Sequence, residues 1–263
     1  MRGMSRQLRV VLLGTGTSTG VPMIGCDCPV CCSEDPLDQR SRSSILVTVD
    51  DHPILIDTTP ELRMQCVRNG VRRIEAVLFT HFHADHVVGL DDLRRFNDLQ
   101  KRSLTCYGDA ATVLGLRQMF SYAFEHLPNY PSTKPQLELQ TIDGAFDVCG
   151  VPIIPIPLYH GPLPVLGFRF GPFAYCTDCS RIPDESMQLL KGVEILVIDG
   201  LRWRPHPTHF NIEQATDAAR QIGARQTYFT HIAHDLPHAA TNDSLPDGTA
   251  LGYDGQIIEL VWA

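Results

Sequence analysis

The chain is 263 residues long, 43% hydrophobic and 20% charged, with a formal net charge of −8. That length suffices for a sizeable core, and residues 1–263 are expected to form a single domain. The composition is ordinary for a soluble globular protein. The acidic balance speaks against broad nucleic-acid binding, and no apolar run approaches the length of a membrane span.

Residues 10–13 read as the first strand. The run Arg9-Val10-Val11-Leu12-Leu13 is too short for a secretory signal and Gly14 follows at once, so a cytoplasmic location is expected. Gly14-Thr15-Gly16-Thr17-Ser18-Thr19-Gly20 lacks the lysine of a phosphate-binding P-loop and meets Val21-Pro22 where a helix should open. It reads as a tight loop at the foot of a sheet, beside a metal site. Cys26-Asp27-Cys28-Pro29-Val30-Cys31 then packs three thiols into six residues. In a reducing compartment such thiols do not form a disulfide framework, and close spacing favours zinc. Three thiolates need a fourth ligand to close a tetrahedral site. Cys32 is a rival to Cys31, and the sequence leaves the choice open.

Strands are expected at 44–49 and 54–57, and Thr59-Pro60 resembles a capped helix start with Gly70 as its stop. The apolar run 76–80 empties into His81-Phe82-His83-Ala84-Asp85-His86, which holds three imidazoles and a carboxylate within six residues. On an extended backbone His81 and His83 point to one side. Asp85 and His86 are adjacent, so the chain must turn for both to reach the same place. The spacing of Val87, Val88, Leu90, Leu93, Phe96 and Leu99 predicts a helix over 87–99. A strand end, a turn and a helix start can thus aim four ligands at two neighbouring cations, and imidazole with carboxylate suits zinc, manganese or iron.

Further on, a helix is expected near 110–124, and Pro128, Pro131 and Pro135 suggest a loop bordering the mouth of the site. Strands are expected at 151–156, 168–175, 195–199, 227–230 and 257–261. Asn211-Ile212-Glu213-Gln214 is a capping box whose helix stops near Gly223. Cys176 and Cys179 read as packing thiols, and His52, His126 and His238 as surface or turn residues.

The His-x-His-x-Asp-His signature at a strand end resembles the metallo-β-lactamase superfamily, which implies an α/β fold, the four-layer αββα sandwich. The resemblance also implies further ligands, and His160, Asp178 and His231 occur in the expected order. On that basis His81, His83 and His160 hold one metal, Asp85, His86 and His231 the other, and Asp178 bridges them; Asp57 orients a ligand or the motif loop from behind. The segments ending in His81 and His231 echo each other as Phe-Thr-His. The cysteine cluster with Thr230-His231-Ile232-Ala233-His234 is similar to the PhnP-like cyclic-phosphate phosphodiesterases, which implies that His234 closes a structural zinc site with Cys26, Cys28 and Cys31. In that branch a histidine at the place of His209 contacts the substrate phosphate or protonates the leaving oxygen, and Arg202 and Arg204 are candidates to pair with phosphate oxygens.

The expectation is therefore a binuclear phosphodiesterase that hydrolyses a small, plausibly cyclic, phosphodiester with a metal-bridged hydroxide as nucleophile. It carries two catalytic divalent ions (zinc or manganese) and one structural zinc, with Asp85 and His209 in the catalytic set. Competing readings are an RNase Z-like ribonuclease, a thioester or lactone hydrolase, and a non-catalytic PqqB-like accessory protein. The sequence leaves monomer and homodimer open.

Overall fold

The computed structural model describes residues 5–125 and 133–262. The first sheet begins with an antiparallel meander of β1 (Arg6–Gly14), β2 (Ser44–Val49) and β3 (His52–Ile56), to which β4 (Ala76–Leu78), β5 (Leu104–Gly108) and β6 (Leu137–Thr141) add in parallel. The second sheet holds β7 (Phe146–Val148), β8 (Val151–His160), β9 (Leu163–Phe170), β10 (Phe173–Cys176), β11 (Ile195–Asp199), β12 (Gln226–Thr230) and β13 (Thr249–Leu251), in spatial order from β13 to β7. The last strand, β14 (Ile257–Trp262), returns to the first sheet beside β1.

Alternation along the strands explains the layering. Val10 and Leu12 of β1 face a core shared with Phe168, Phe170 and Tyr175 of the second sheet. Val11 and Leu13 face the opposite way, onto Leu62, Cys66, Phe96 and Leu116. Both faces are buried, so the strands read as unbroken apolar runs. The residues of that outer core come from α1 (Leu62–Arg68), α3 (Arg94–Gln100) and α4 (Ala110–Met119), with α2 (Ala84–Val87) between α1 and α3 in the chain. Behind the second sheet, Leu196, Ile198 and Phe229 pack on Ala215, Ala219 and Ile222 of a later helix, 212–222. Helix, sheet, sheet, helix is the αββα sandwich that the motif implied. No helix among the described residues is long and apolar enough to cross a membrane.

Several elements differ from the sequence reading. The helix expected over 87–99 is broken: α2 ends at Val87, a 3-10 stretch covers Val88–Leu93, and α3 follows. The break lies where Gly89 N–H donates to Thr58 O at 2.9 Å, and a Cβ on Gly89 would sit 2.0 Å from Thr59 O. Helix 110–124 is interrupted at Phe120, leaving α4 and α5 (Ser121–Phe124). Thr59 does not cap α1; its hydroxyl bonds Gln65 Oε1, and the helix starts at Leu62. The run 168–175 is two strands, β9 and β10, reversed at Gly171 with φ 52. Strands β5, β6, β7 and β13 went unread; none of them carries an unbroken apolar run in the sequence. Pro128, Pro131 and His126 lie outside the described residues.

Asn211 and Gln214 form the expected capping box of α7 (Ile212–Ile222), with Gly223 in left-handed conformation after it; this helix follows α6 (Asp184–Leu189) and precedes α8 (His238–Asn242). His238 is buried rather than at the surface, its Nδ1 3.0 Å from the guanidinium of buried Arg40. The loop after β1 does lie beside the candidate site, because Thr17 and Ser18 line the hollow described below.

Candidate metal centre

The signature residues collect at the carboxyl ends of parallel strands, the edge where open α/β sheets place their ligands. Beyond β4, Thr80 N–H and Oγ1–H donate to Asp57 at 2.9 and 2.8 Å, pinning the chain just before His81. His83 is the N-cap of α2, whose first turn delivers Asp85 and His86. Asp178 follows β10 and His231 follows β12. Asp57, Asp178 and His231 have φ of 64, 51 and 59, a left-handed backbone that non-glycine residues rarely adopt. Such strain costs on the order of 1–3 kcal/mol per residue and clusters at functional sites. Here it turns three strand-end side chains into one centre.

One ligand atom from each of His81, His83 and His160 lies within 4.8 Å of the others, and the same holds for Asp85, His86, Asp178 and His231. His86 Nε2 is 3.3 Å from Asp85 Oδ2 and 3.2 Å from Asp178 Oδ1. His231 Nε2 is 3.3 Å from Asp178 Oδ2, and His81 Nε2 is 3.9 Å from the same oxygen. Asp178 therefore faces both sets. The Nε2 atoms of His81, His86 and His231 are buried without a hydrogen-bond partner. Buried polar atoms are seldom left so, and nitrogen with carboxylate oxygen is a donor set that zinc or manganese accepts. The residues fit divalent cations.

The local charges agree. Burial pulls the pKa of His81, His83 and His160 down, keeping these imidazoles neutral and free to donate a lone pair. Burial also opposes charge on His86, but Asp178, Asp57 and Asp85 outweigh it and hold its pKa well above the usual value. Against their own burial, Asp85 and Asp178 are held below the ordinary carboxylate range by neighbouring histidines, His86 and His231 among them. His86 Nδ1 is 2.7 Å from Asp57 Oδ2, so Asp57 supports the motif from behind as expected.

The second cluster joins the N-terminal loop to the segment after β12. His234 Nδ1 lies 3.3 Å from Cys26 Sγ, 3.3 Å from Cys28 Sγ and 3.6 Å from Cys31 Sγ. Cys32 is exposed and stands outside the group, which decides between the two neighbouring thiols. The Cys31 N–H draws the Cys28 thiol down to about 6, whereas burial pushes Cys31 up to about 11. Cys176 and Cys179 are fully buried, as packing thiols should be.

A hollow of about 220 Å³ beside His234 is lined also by Thr17, Ser18, Met23, Arg202, His206 and His209, among others. His209 is buried, its ring 4.5 Å from that of His160 and 4.6 Å from that of His231. Its Nδ1 is 2.6 Å from Asp199 Oδ2, which also accepts the Cys179 N–H at 2.8 Å. Sequence reading treated Asp199 only as a strand end. The available signal was an acidic residue closing the apolar run 195–198, the pattern that also marked Asp57. Arg204 is tied at 3.0 Å to Asp235, which lines the hollow, and Arg202 lines it directly. A larger apolar groove of about 470 Å³, lined by Ile142, Ile154 and Leu166, includes none of these residues.

Comparison with known proteins places the chain. The family profile for the Beta-lactamase superfamily domain matches residues 52–232, from β3 to just past His231. A solved structure described as a new diphosphatase from the PhnP family is 42% identical, covers 98% of this chain and 99% of that one, and superposes with a TM-score of 0.92. Zn(2+)-bound PqqB from Methylobacterium extorquens is 21% identical over 96% of this chain and 100% of that chain, with a TM-score of 0.78, a likeness of fold alone. A protein named octanoyltransferase from Porphyromonas gingivalis (strain ATCC BAA-308 / W83) is 42% identical over 253 residues, 94% of this chain and 51% of that protein, so this chain spans about half its length. The chain belongs to the metallo-β-lactamase superfamily, whose hydrolases bind divalent metals, and within it to the PhnP-like proteins.

Proposed function

We propose that this metal-dependent hydrolase is a binuclear phosphodiesterase acting on a small phosphodiester. The observation that carries the reading is the hollow wall formed by His209, which stands in ring contact with His160 and His231 and is held from behind by Asp199. His81, His83 and His160 would hold one divalent ion and Asp85, His86 and His231 another, with Asp178 available to either set, and such ions would supply Lewis acidity and lower the pKa of water. Cys26, Cys28, Cys31 and His234 would hold a third ion, zinc, which would brace the segment that carries His231.

The chain's own groups account for the remaining chemistry. Asp199 engages Nδ1 of His209, which leaves Nε2 as the atom that exchanges a proton with the leaving oxygen. Burial lowers the pKa of His209 in the free protein. A bound phosphodiester anion would draw a proton onto the ring, and the Asp199 carboxylate would stabilise the resulting imidazolium. Arg202, which also lines the hollow, would offer its guanidinium to a phosphate oxygen.

Metal content measured together with turnover of bis(p-nitrophenyl) phosphate tests the reading. Two metals beyond the cysteine-bound zinc and steady turnover are expected. A fully metal-loaded protein that leaves this diester and a panel of cyclic phosphates intact would refute it.

A further inference from the structure

His206 has no place in the chemistry above, yet its contacts lead to a metal ligand. It sits in a loop whose ends are fixed: Leu201 N–H donates to Phe210 O at 3.0 Å, and Phe210 N–H donates to Cys179 O at 2.6 Å. Within the loop, His206 is flanked by Pro205 and Pro207, which limit backbone freedom on both sides. Its Nδ1 accepts from Thr208 N–H at 3.3 Å and lies 3.2 Å from Thr208 Oγ1. A side-chain acceptor bonded to the N–H two residues on has the form of an Asx turn, with imidazole nitrogen in place of the asparagine oxygen.

That turn aims Thr208. Its carbonyl accepts from His160 Nδ1 at 2.7 Å, which settles the tautomer and leaves His160 Nε2 with its lone pair. Thr208 also packs hard against the next residue along. A Cβ on Gly161 would meet Thr208 Cγ2 at 2.7 Å, and Gly161 has φ +61, so only glycine suits the corner. The order of support is His206, then the Thr208 backbone, then the His160 ring.

We infer that His206 is a positioning residue for His160: by closing the 206–208 turn it sets the carbonyl that orients one imidazole of the His81, His83 and His160 cluster. It need not touch substrate to do so. The same loop carries His209, so one short segment fixes both the orientation of a ligand and the place of the proton donor. This inference rests on the proposed metal occupancy of the three-histidine cluster.

The test uses the full chain reconstituted with cobalt(II), comparing wild type, His206→Ala and His206→Asn. Affinity is read by chelator competition and the ligand field by visible absorption, with His83→Ala identifying which bound ion belongs to the cluster. The expected result is a loss of about 10–100-fold in affinity at that site for His206→Ala, the usual effect of removing outer support from a ligand. Its absorption bands should shift as well. His206→Asn, whose side-chain oxygen can close the same turn, should restore both. Unchanged affinity and spectrum in His206→Ala would overturn the inference, as would His206→Asn falling as far as His206→Ala. A wild-type protein with no cobalt that His83→Ala removes would instead overturn the metal reading itself.

Discussion

Asp199 Oδ2 lies 2.6 Å from His209 Nδ1, and the carboxylate is entirely buried. The two residues are ten positions apart, on the end of β11 and in the loop after it. Burial raises the Asp199 pKa well above its usual value, with nearby His231 opposing the shift, and the short contact holds the imidazole in place. The pair therefore presents a fixed imidazole edge to the hollow.

That arrangement predicts a dependence on the leaving group. An alkoxide must gain a proton as it departs, whereas p-nitrophenolate leaves with little help. His209→Ala should lose about 10²–10⁴ in rate on an alkyl or cyclic sugar phosphate, and much less on bis(p-nitrophenyl) phosphate, with metal content unchanged. Asp199→Asn should shift the ratio in the same direction by a smaller amount. Equal losses on both substrates for His209→Ala would assign it to phosphate binding.

The two clusters should be separable. His83→Ala or Asp85→Ala is expected to abolish turnover while retaining the cysteine-bound zinc and most of the thermal stability. Cys28→Ser should lose one zinc and melt at a lower temperature, because the loop it anchors is tied to His234. Metal analysis with thermal melting decides the matter; full metal content and wild-type melting in Cys28→Ser would end the assignment.

Phosphodiesters should be cleaved in preference to phosphomonoesters. A monoanion suits paired cations and a hollow lined by Arg202, while a dianion repels the attacking hydroxide more strongly. The comparison is kcat/KM for bis(p-nitrophenyl) phosphate against p-nitrophenyl phosphate, and equal or faster monoester cleavage would contradict the reading.

Gly89→Ala should be destabilising out of proportion to its size. The added methyl would stand 2.0 Å from Thr59 O, in backbone that cannot swing aside as a side chain can. Overpacking of this kind costs about 1–3 kcal/mol. The 3-10 stretch that follows α2 should also shift, carrying Asp85 and His86 with it. Denaturant unfolding and metal affinity both report the change, and a variant as stable as wild type with unaltered affinity would show that the close approach is dispensable.

Local pattern was enough wherever the informative residues are neighbours in the chain. His81–His86 and Cys26–Cys31 are each six consecutive residues, so residue type and spacing alone announced their chemistry. The capping box of α7 was legible for the same reason, since Asn211 and Gln214 act within one turn. His160, Asp178 and His231 were reached through family order; His160 and Asp178 stand alone in their stretches of sequence, and His231 is marked further only by His234 and the Phe-Thr-His echo.

What remained hidden depended on distant segments meeting. Cys31 rather than Cys32 faces His234 because their side chains leave the backbone in different directions toward a residue more than 200 positions away. His238 turns inward to Arg40 across a separation of 198 residues. The break after Val87 reflects Thr58 and Thr59 pressing on Gly89, a contact that no helical periodicity records. Sequence by itself thus determined the donor types and the alternating runs that build two sheets, since these follow from side-chain chemistry and backbone period. Tertiary structure alone decided which donors meet and which carboxylate stands behind which histidine, because those pairings depend on strand order and on left-handed corners such as Asp178 and His231.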